Sequence, residues 1–164
     1  TIFIIITVAY IFLSTILFVS EEEYELSEWN SIEASGPIKV YFTQSKEKKV
    51  VLRADDGLHE KINIKVDNKG RLRIHPKDDI RRERVLEVYV YSPKLDSIEM
   101  KGASLFRSNT IIKSSYFKVK TSDASEIQLR VEADSLRIRM EGSSNLQLAG
   151  RAGKCNIYTV DRGK

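Results

Sequence analysis

Histidine and cysteine are almost missing from this chain: it has two His and one Cys in 164 residues. The lone Cys155 cannot form an internal disulfide, and cysteine usage does not fix the compartment. Only Lys154 gives Cys155 a basic neighbour, so we expect a semi-buried structural thiol rather than a nucleophile. His59 and His75 are not spaced as local metal ligands, and no Cys or His cluster accompanies them. We therefore expect no metal and no cofactor. Serines lack a nearby histidine to activate them, which argues against nucleophilic catalysis. No run has helical spacing, and Asp78 to Glu87 reads as a charged, solvated loop.

Charge of one sign is also scarce. Lys and Arg number 27 against 23 Asp and Glu, a net +4. That excess is too mild for a nucleic-acid signature, and the aromatics do not interleave with basic residues as stacking platforms. No charge at all occurs from Thr1 to Ser20. The run Ile2 to Val19 is aliphatic apart from Thr7, Tyr10, Ser14 and Thr15, and it sits at the lower edge of what spans a bilayer. It exceeds the apolar core of a typical signal peptide, and no cleavage or lipidation site follows it. We expect residues 1–20 to be a membrane anchor or signal segment that exports residues 24–164. Thr1 in the place of Met, with no basic residue before the run, leads us to expect a few more residues upstream.

What remains is written in β periodicity. Val40 to Phe42 and Val50 to Leu52 are short strand-like runs. Ile62 to Val66 and Arg71 to Ile74 alternate apolar with polar, and Asp67-Asn68-Lys69-Gly70 between them suits a tight hairpin. Leu86 to Tyr91 alternates again and stops at Ser92-Pro93. Asp55-Asp56-Gly57 lacks the oxygen ligands of a calcium loop and reads as a turn.

Three later segments align without gaps: Ser97 to Phe106, Lys118 to Ile127 and Arg137 to Leu146. Each runs from an alternating strand through Gly or Asp to a small residue, a Ser and a second apolar strand. The turn positions are Gly102, Asp123 and Gly142, with a fourth copy starting at Ile157 and a weaker early one from Ser31 to Gly36. A step of about twenty residues predicts an all-β fold, a right-handed β-solenoid or β-helix with antiparallel hairpins in its N-terminal half. A β-sandwich is the alternative. Stacking would place Ile98, Val119 and Ile138 in one inward column and Met100, Thr121 and Met140 in the next. Gly102, Asp123 and Gly142 would form the bends, and Ser104, Ser125 and Ser144 would stack at the corner. Asp123, Ser125 and Glu126 are thereby read as corner residues rather than a catalytic set.

The stretch Trp29 to Gln44 resembles the opening of the head GIN domain family, whose description is that of a putative auto-transporter adhesin. It has an aromatic residue, an Ile, the Ser35-Gly36 turn and a strand ending in Thr43-Gln44. Tyr91 to Ile98 and the Gly-Ala-Ser, Asp-Ala-Ser and Gly-Ser-Ser corners are similar to the family as well. The resemblance runs from about Tyr24 to Lys164. It implies an exported, mainly β, solenoid-like domain without catalytic residues, and one that continues through further C-terminal rungs. An open last rung would favour self-association.

The expected function is a cell-envelope binding, adhesion-type or structural module without catalysis. The alternative is a polysaccharide-processing enzyme on a β-helix scaffold, which needs carboxylates converging in one groove. Candidate binding residues are Lys118, Lys120, Arg137 and Arg139, gathered on one sheet face, with Tyr89 and Tyr91 sharing a strand face. Anionic glycans, phosphate-bearing polymers or a surface protein are the expected partners, with the periplasm or cell surface as location.

Overall fold

Alternating residues become strands almost wherever the sequence alternates. The computed structural model describes residues 19–80 and 84–160. Its strands are β1 (Val19–Tyr24), β2 (Ser31–Ser35), β3 (Lys39–Gln44), β4 (Lys49–Asp55), β5 (Ile62–Val66) and β6 (Arg71–Pro76). They continue as β7 (Leu86–Ser92), β8 (Ser97–Lys101), β9 (Leu105–Ser108), β10 (Ile112–Thr121), β11 (Glu126–Glu141) and β12 (Asn145–Val160). A 3-10 turn, His59–Lys61, precedes β5.

The hairpin β5–β6 pairs Ile62 with Pro76 and Ile64 with Ile74. Asp67 builds its turn. Its Oδ1 accepts from the Lys69 and Arg71 amides at 2.9 and 3.1 Å, and Gly70 takes φ 70°. The turn at Asp55-Asp56-Gly57 also forms. Buried Asp55 accepts from the Val85 amide through Oδ2 at 2.9 Å, which ties the end of β4 to the start of β7.

All twelve strands belong to one mixed sheet. Its path runs β1-β4-β7-β3-β9-β11-β10-β8-β2-β6-β5, with β12 added on β11. The sheet curls into a nearly closed barrel with one unsealed seam. This corrects the expectation of a right-handed solenoid, and the sandwich of two separate sheets is not formed either. The reason lies in the N-terminal half. Strands β2, β3, β6 and β7 join the same parallel ladders as the repeats, and β1, β4 and β5 add antiparallel edges, so the repeats are one arc of a larger sheet.

The twenty-residue repeat survives as strand register. Val119 pairs laterally with Ile98 and with Ile138, at offsets of 21 and 19 residues. Thr121 does the same with Met100 and Met140. The inward column extends further than the repeat, through Val66, Leu72 and Ile32 on one side and Ile157 on the other. Gly102, Asp123 and Gly142 take φ of 68°, 61° and 67° at stacked corners, the backbone that Gly accepts freely and Asp tolerates. Of the corner serines, Ser125 is bonded to the Ser122 and Met100 carbonyls, at 2.9 and 3.3 Å, and to Thr121 Oγ1. The Ser104 and Ser144 hydroxyls make no hydrogen bond among the described residues.

Each long strand bends once. The ladders skip Ser115 opposite Asp134 and Asp134 opposite Gly153, and in β10 and β11 the inward alternation shifts by one residue there. At Gly150 the backbone of β12 lies so close to β11 that a Cβ would collide with the Val131 carbonyl oxygen.

The core thins toward β12. Ile138 is fully buried, whereas Ile157 in the same column is 57 % exposed. Ile138→Ala should therefore cost about 2–5 kcal/mol, the usual range for emptying a packed aliphatic site. Ile157→Ala should stay within about 0.5 kcal/mol. Denaturant unfolding measures both, and equal losses would contradict the gradient.

Candidate functional site

Inward columns fix outward rows. Because Val119 and Ile138 face the core in register, Lys118, Lys120, Arg137 and Arg139 must face out beside one another. The ladders pair Lys118 with Arg137 and Lys120 with Arg139. Tyr158 of β12 stands opposite Arg139. The four basic residues and Tyr158 line a shallow depression of about 330 Å³. The Arg137 guanidinium lies 6.0 Å from the Tyr158 ring centre.

Neighbouring carboxylates take up part of this charge. Glu33 is within 3.1–3.3 Å of Arg71, Arg73 and Lys101. Glu99 contacts Lys101 at 3.1 Å and Lys120 at 2.9 Å. Burial alone would raise the Glu99 carboxyl, but its bonds to Lys120 and Lys101 hold it below its usual range. Arg139 Nε reaches Glu141 at 2.6 Å. Lys118 and Arg137 make no ion pair among the described residues. The face therefore leaves two adjacent cations free.

The tyrosines lie elsewhere. Tyr89 and Tyr91 project from the outer side of β7, half-buried, while Val88 and Val90 fill the core. Tyr89 stacks on Tyr41 of β3 with ring centres 5.1 Å apart, and Lys49 sits 5.2 Å from the centre of Tyr91. Burial, then hydrogen bonding to Glu87, raises the Tyr89 phenol, and burial raises Tyr41. Glu21 and Glu23 line the adjacent hollow. The structure thus separates the six candidate residues into a basic set and an aromatic set. Tyr41 and Tyr158 were not singled out from sequence. The cross-strand register that recruits them, Tyr41 to Tyr89 and Tyr158 to Arg139, is visible only once strands are paired.

Residues with catalytic potential are dispersed. His59 approaches Ser20 and Glu22 of β1, at 2.9 and 3.2 Å. His75 faces Asn63 across the hairpin at 3.3 Å. No group of three His, Cys, Asp or Glu side chains able to hold a metal occurs among the described residues. Cys155 is exposed, which corrects the semi-buried expectation. It pairs with buried Leu136 but lies on β12, beyond which the described residues add no strand to cover it.

Residues 28–164 match the model of the family described as putative auto-transporter adhesin, head GIN domain. The chain belongs to this family. The head GIN fold is shared with a putative adhesin of Parabacteroides distasonis at TM-score 0.79 and 22 % identity, over 89 % of this chain and 64 % of that one. A putative adhesin of Parabacteroides merdae gives 0.72 and 22 %, over 79 % and 55 %. A putative lipid binding protein of P. distasonis gives 0.70 and 15 %, over 87 % and 72 %. This head GIN chain thus spans between half and two thirds of the two adhesins' length. No curated protein matches it. The family description points to an extracytoplasmic place for the domain. No helix among the described residues is long and apolar enough to cross a membrane. Of the expected anchor or signal segment, residues 1–20, the first eighteen lie outside the described residues, and Val19 and Ser20 belong to β1.

Burial, then the charges of Arg73 and Lys65, pushes the His75 imidazole below its ordinary value of 6.5. The unfolded chain then binds this proton more readily than the folded one, so the His75 contribution falls as pH drops below about 6.5. His75→Gln should flatten that part of the stability–pH curve. Parallel curves for the two proteins from neutral to mildly acidic pH would contradict it.

Proposed function

We propose that this head GIN chain is an exported, adhesion-type module that holds an anionic envelope polymer without turnover. In this reading residues 1–20 supply the anchor or export signal. The basic face of β10 and β11 supplies the contact. The observation that carries the reading is the pairing of Lys118 with Arg137, side by side and free of carboxylate partners among the described residues. Nearby cations are already compensated by Glu33, Glu99 and Glu141. A sulfate, phosphate or uronate group would give the two free cations charge-assisted hydrogen bonds, with bidentate geometry available at Arg137. Tyr158 beside them offers a partly apolar surface for a sugar ring.

An enzyme on the same scaffold needs carboxylates that share one site. The groove across β10, β11 and β12 is lined by three carboxylates, but Asp96 and Glu132 each hold their own cation, Lys94 at 3.1 Å and Arg151 at 3.0 Å, which leaves Asp134 without a second uncommitted carboxylate beside it. Such pairs favour recognition over acid–base chemistry. The adhesin descriptions of the family and its structural relatives favour the same reading.

The test is binding to immobilised polygalacturonate and to polyphosphate, which separates uronate from phosphate recognition. The doubly substituted Lys118→Ala, Arg137→Ala protein should lose about tenfold or more in affinity. Binding by the unsubstituted protein should weaken as salt is raised. Unchanged affinity in the double variant, or no binding to either polymer, would overturn the proposal.

A further inference from the structure

The bend shared by β10, β11 and β12 forms a groove of about 860 Å³. It is separate from the basic face. It crosses the strands at Ser115, Asp134 and Gly153, where the ladders skip. Beyond β10 it continues to Lys94 and Asp96, next to β8. At a strand spacing of about 4.8 Å, three spacings give a channel about 14 Å long.

Small residues, Ala133, Ala152 and Gly153, are part of the groove lining. Gly153 is required there: a Cβ would lie 2.8 Å from the Asp134 carbonyl oxygen. Tyr116 stands at the groove 43 % exposed, an aromatic surface with no ring partner among the described residues. The charged groups balance. Lys94 neutralises Asp96, and Arg151 neutralises Glu132 and holds its carboxyl below the usual range. Lys113 and Asp134 line the groove as well, a cation and a carboxylate whose side chains make no hydrogen bond or ion pair among the described residues, although the Lys113 charge helps to hold the Glu132 carboxyl down.

Each feature selects against other ligands. A polyanion gains little, because the groove's charges cancel. An apolar chain would strand Lys113 and Asp134 beneath it without water. A polyhydroxylated, uncharged ligand satisfies both, since hydroxyls donate to carboxylates and accept from ammonium and guanidinium groups. The apolar face of a pyranose ring fits an exposed tyrosine. The volume lies in the range of sites for small ligands. From this combination we infer that the groove binds a short, neutral oligosaccharide, with Tyr116 as the stacking wall and Asp134 and Lys113 as the hydroxyl contacts. The inference does not rest on the basic face, and its ligand differs in charge.

Maltotetraose, cellotetraose and mannotetraose titrated by NMR against the full chain test it. At least one should shift the amides around Tyr116, Asp134 and Gly153, with an affinity insensitive to salt. Tyr116→Ala and Asp134→Asn should each weaken binding about tenfold or more. Lys118→Ala should leave it unchanged, which separates this site from the basic face. Tyr116 and Asp134 are exposed, so an unchanged thermal midpoint certifies the fold of the variants. No binding by any of the three sugars, binding that survives both substitutions, or shifts confined to other surfaces would overturn the inference.

Discussion

The lateral offset between neighbouring strands governs this molecule. Positive-φ corners at Gly102, Asp123 and Gly142 set it, because each corner ends one strand and starts the next at a fixed place. The corners themselves are in contact: a Cβ on Gly142 would meet the Asp123 amide nitrogen at 3.3 Å, and one on Gly102 would meet that of Gly36 at 3.4 Å. With the corners stacked, Ile98, Val119 and Ile138 can only fall in line. A slip of one residue would turn each apolar row outward and each charged row into the core. Burying Lys120 or Arg139 without compensation would cost several kcal/mol, about the penalty for an isolated interior charge.

The same constraint composes the outer surface. Residues between inward positions are free of packing demands, yet their neighbours are dictated by the register. Arg73, Glu33, Glu99, Lys120, Arg139 and Tyr158 form one row across six strands. Charges alternate well enough along part of it to neutralise one another. In the row beside it Lys118 and Arg137 meet only serine and asparagine, Ser97 and Asn156. A cationic patch arises there, and a neutral groove arises where the strands bend.

Local signals made the strands legible in the sequence. Ile62 to Val66, Arg71 to Ile74 and Leu86 to Tyr91 alternate, and Asp67 to Gly70 is a recognisable turn. The columns and corners were legible too, because repeats expose register directly. The global closure was not. Nothing local in Ser31 to Ala34 says that this strand will sit between β6 and β8, at parallel offsets of 40 and 66 residues. Strand β1 escaped notice because Glu21 to Glu23 lie on an exposed edge, where burial imposes no alternation. The repeat alone places Lys118, Lys120, Arg137 and Arg139 on one face, the face proposed for binding. It does not point to Tyr116 and Asp134, since the groove depends on a bend that breaks the alternation. Cys155 misled because its place in the repeat is inward, while its strand lies at the margin of the described sheet.

Amide hydrogen exchange tests the central claim, that one continuous register runs from β6 through β12, most directly. Amides of Val119 and Ile138 should exchange only through global unfolding, and those of Ile98 should match them. Amides of β12 whose bonds point away from β11 should exchange much faster. Fast exchange at Val119 or Ile138, or protection in β8 that differs from β10 by a separate unfolding step, would contradict a single sheet held by stacked corners.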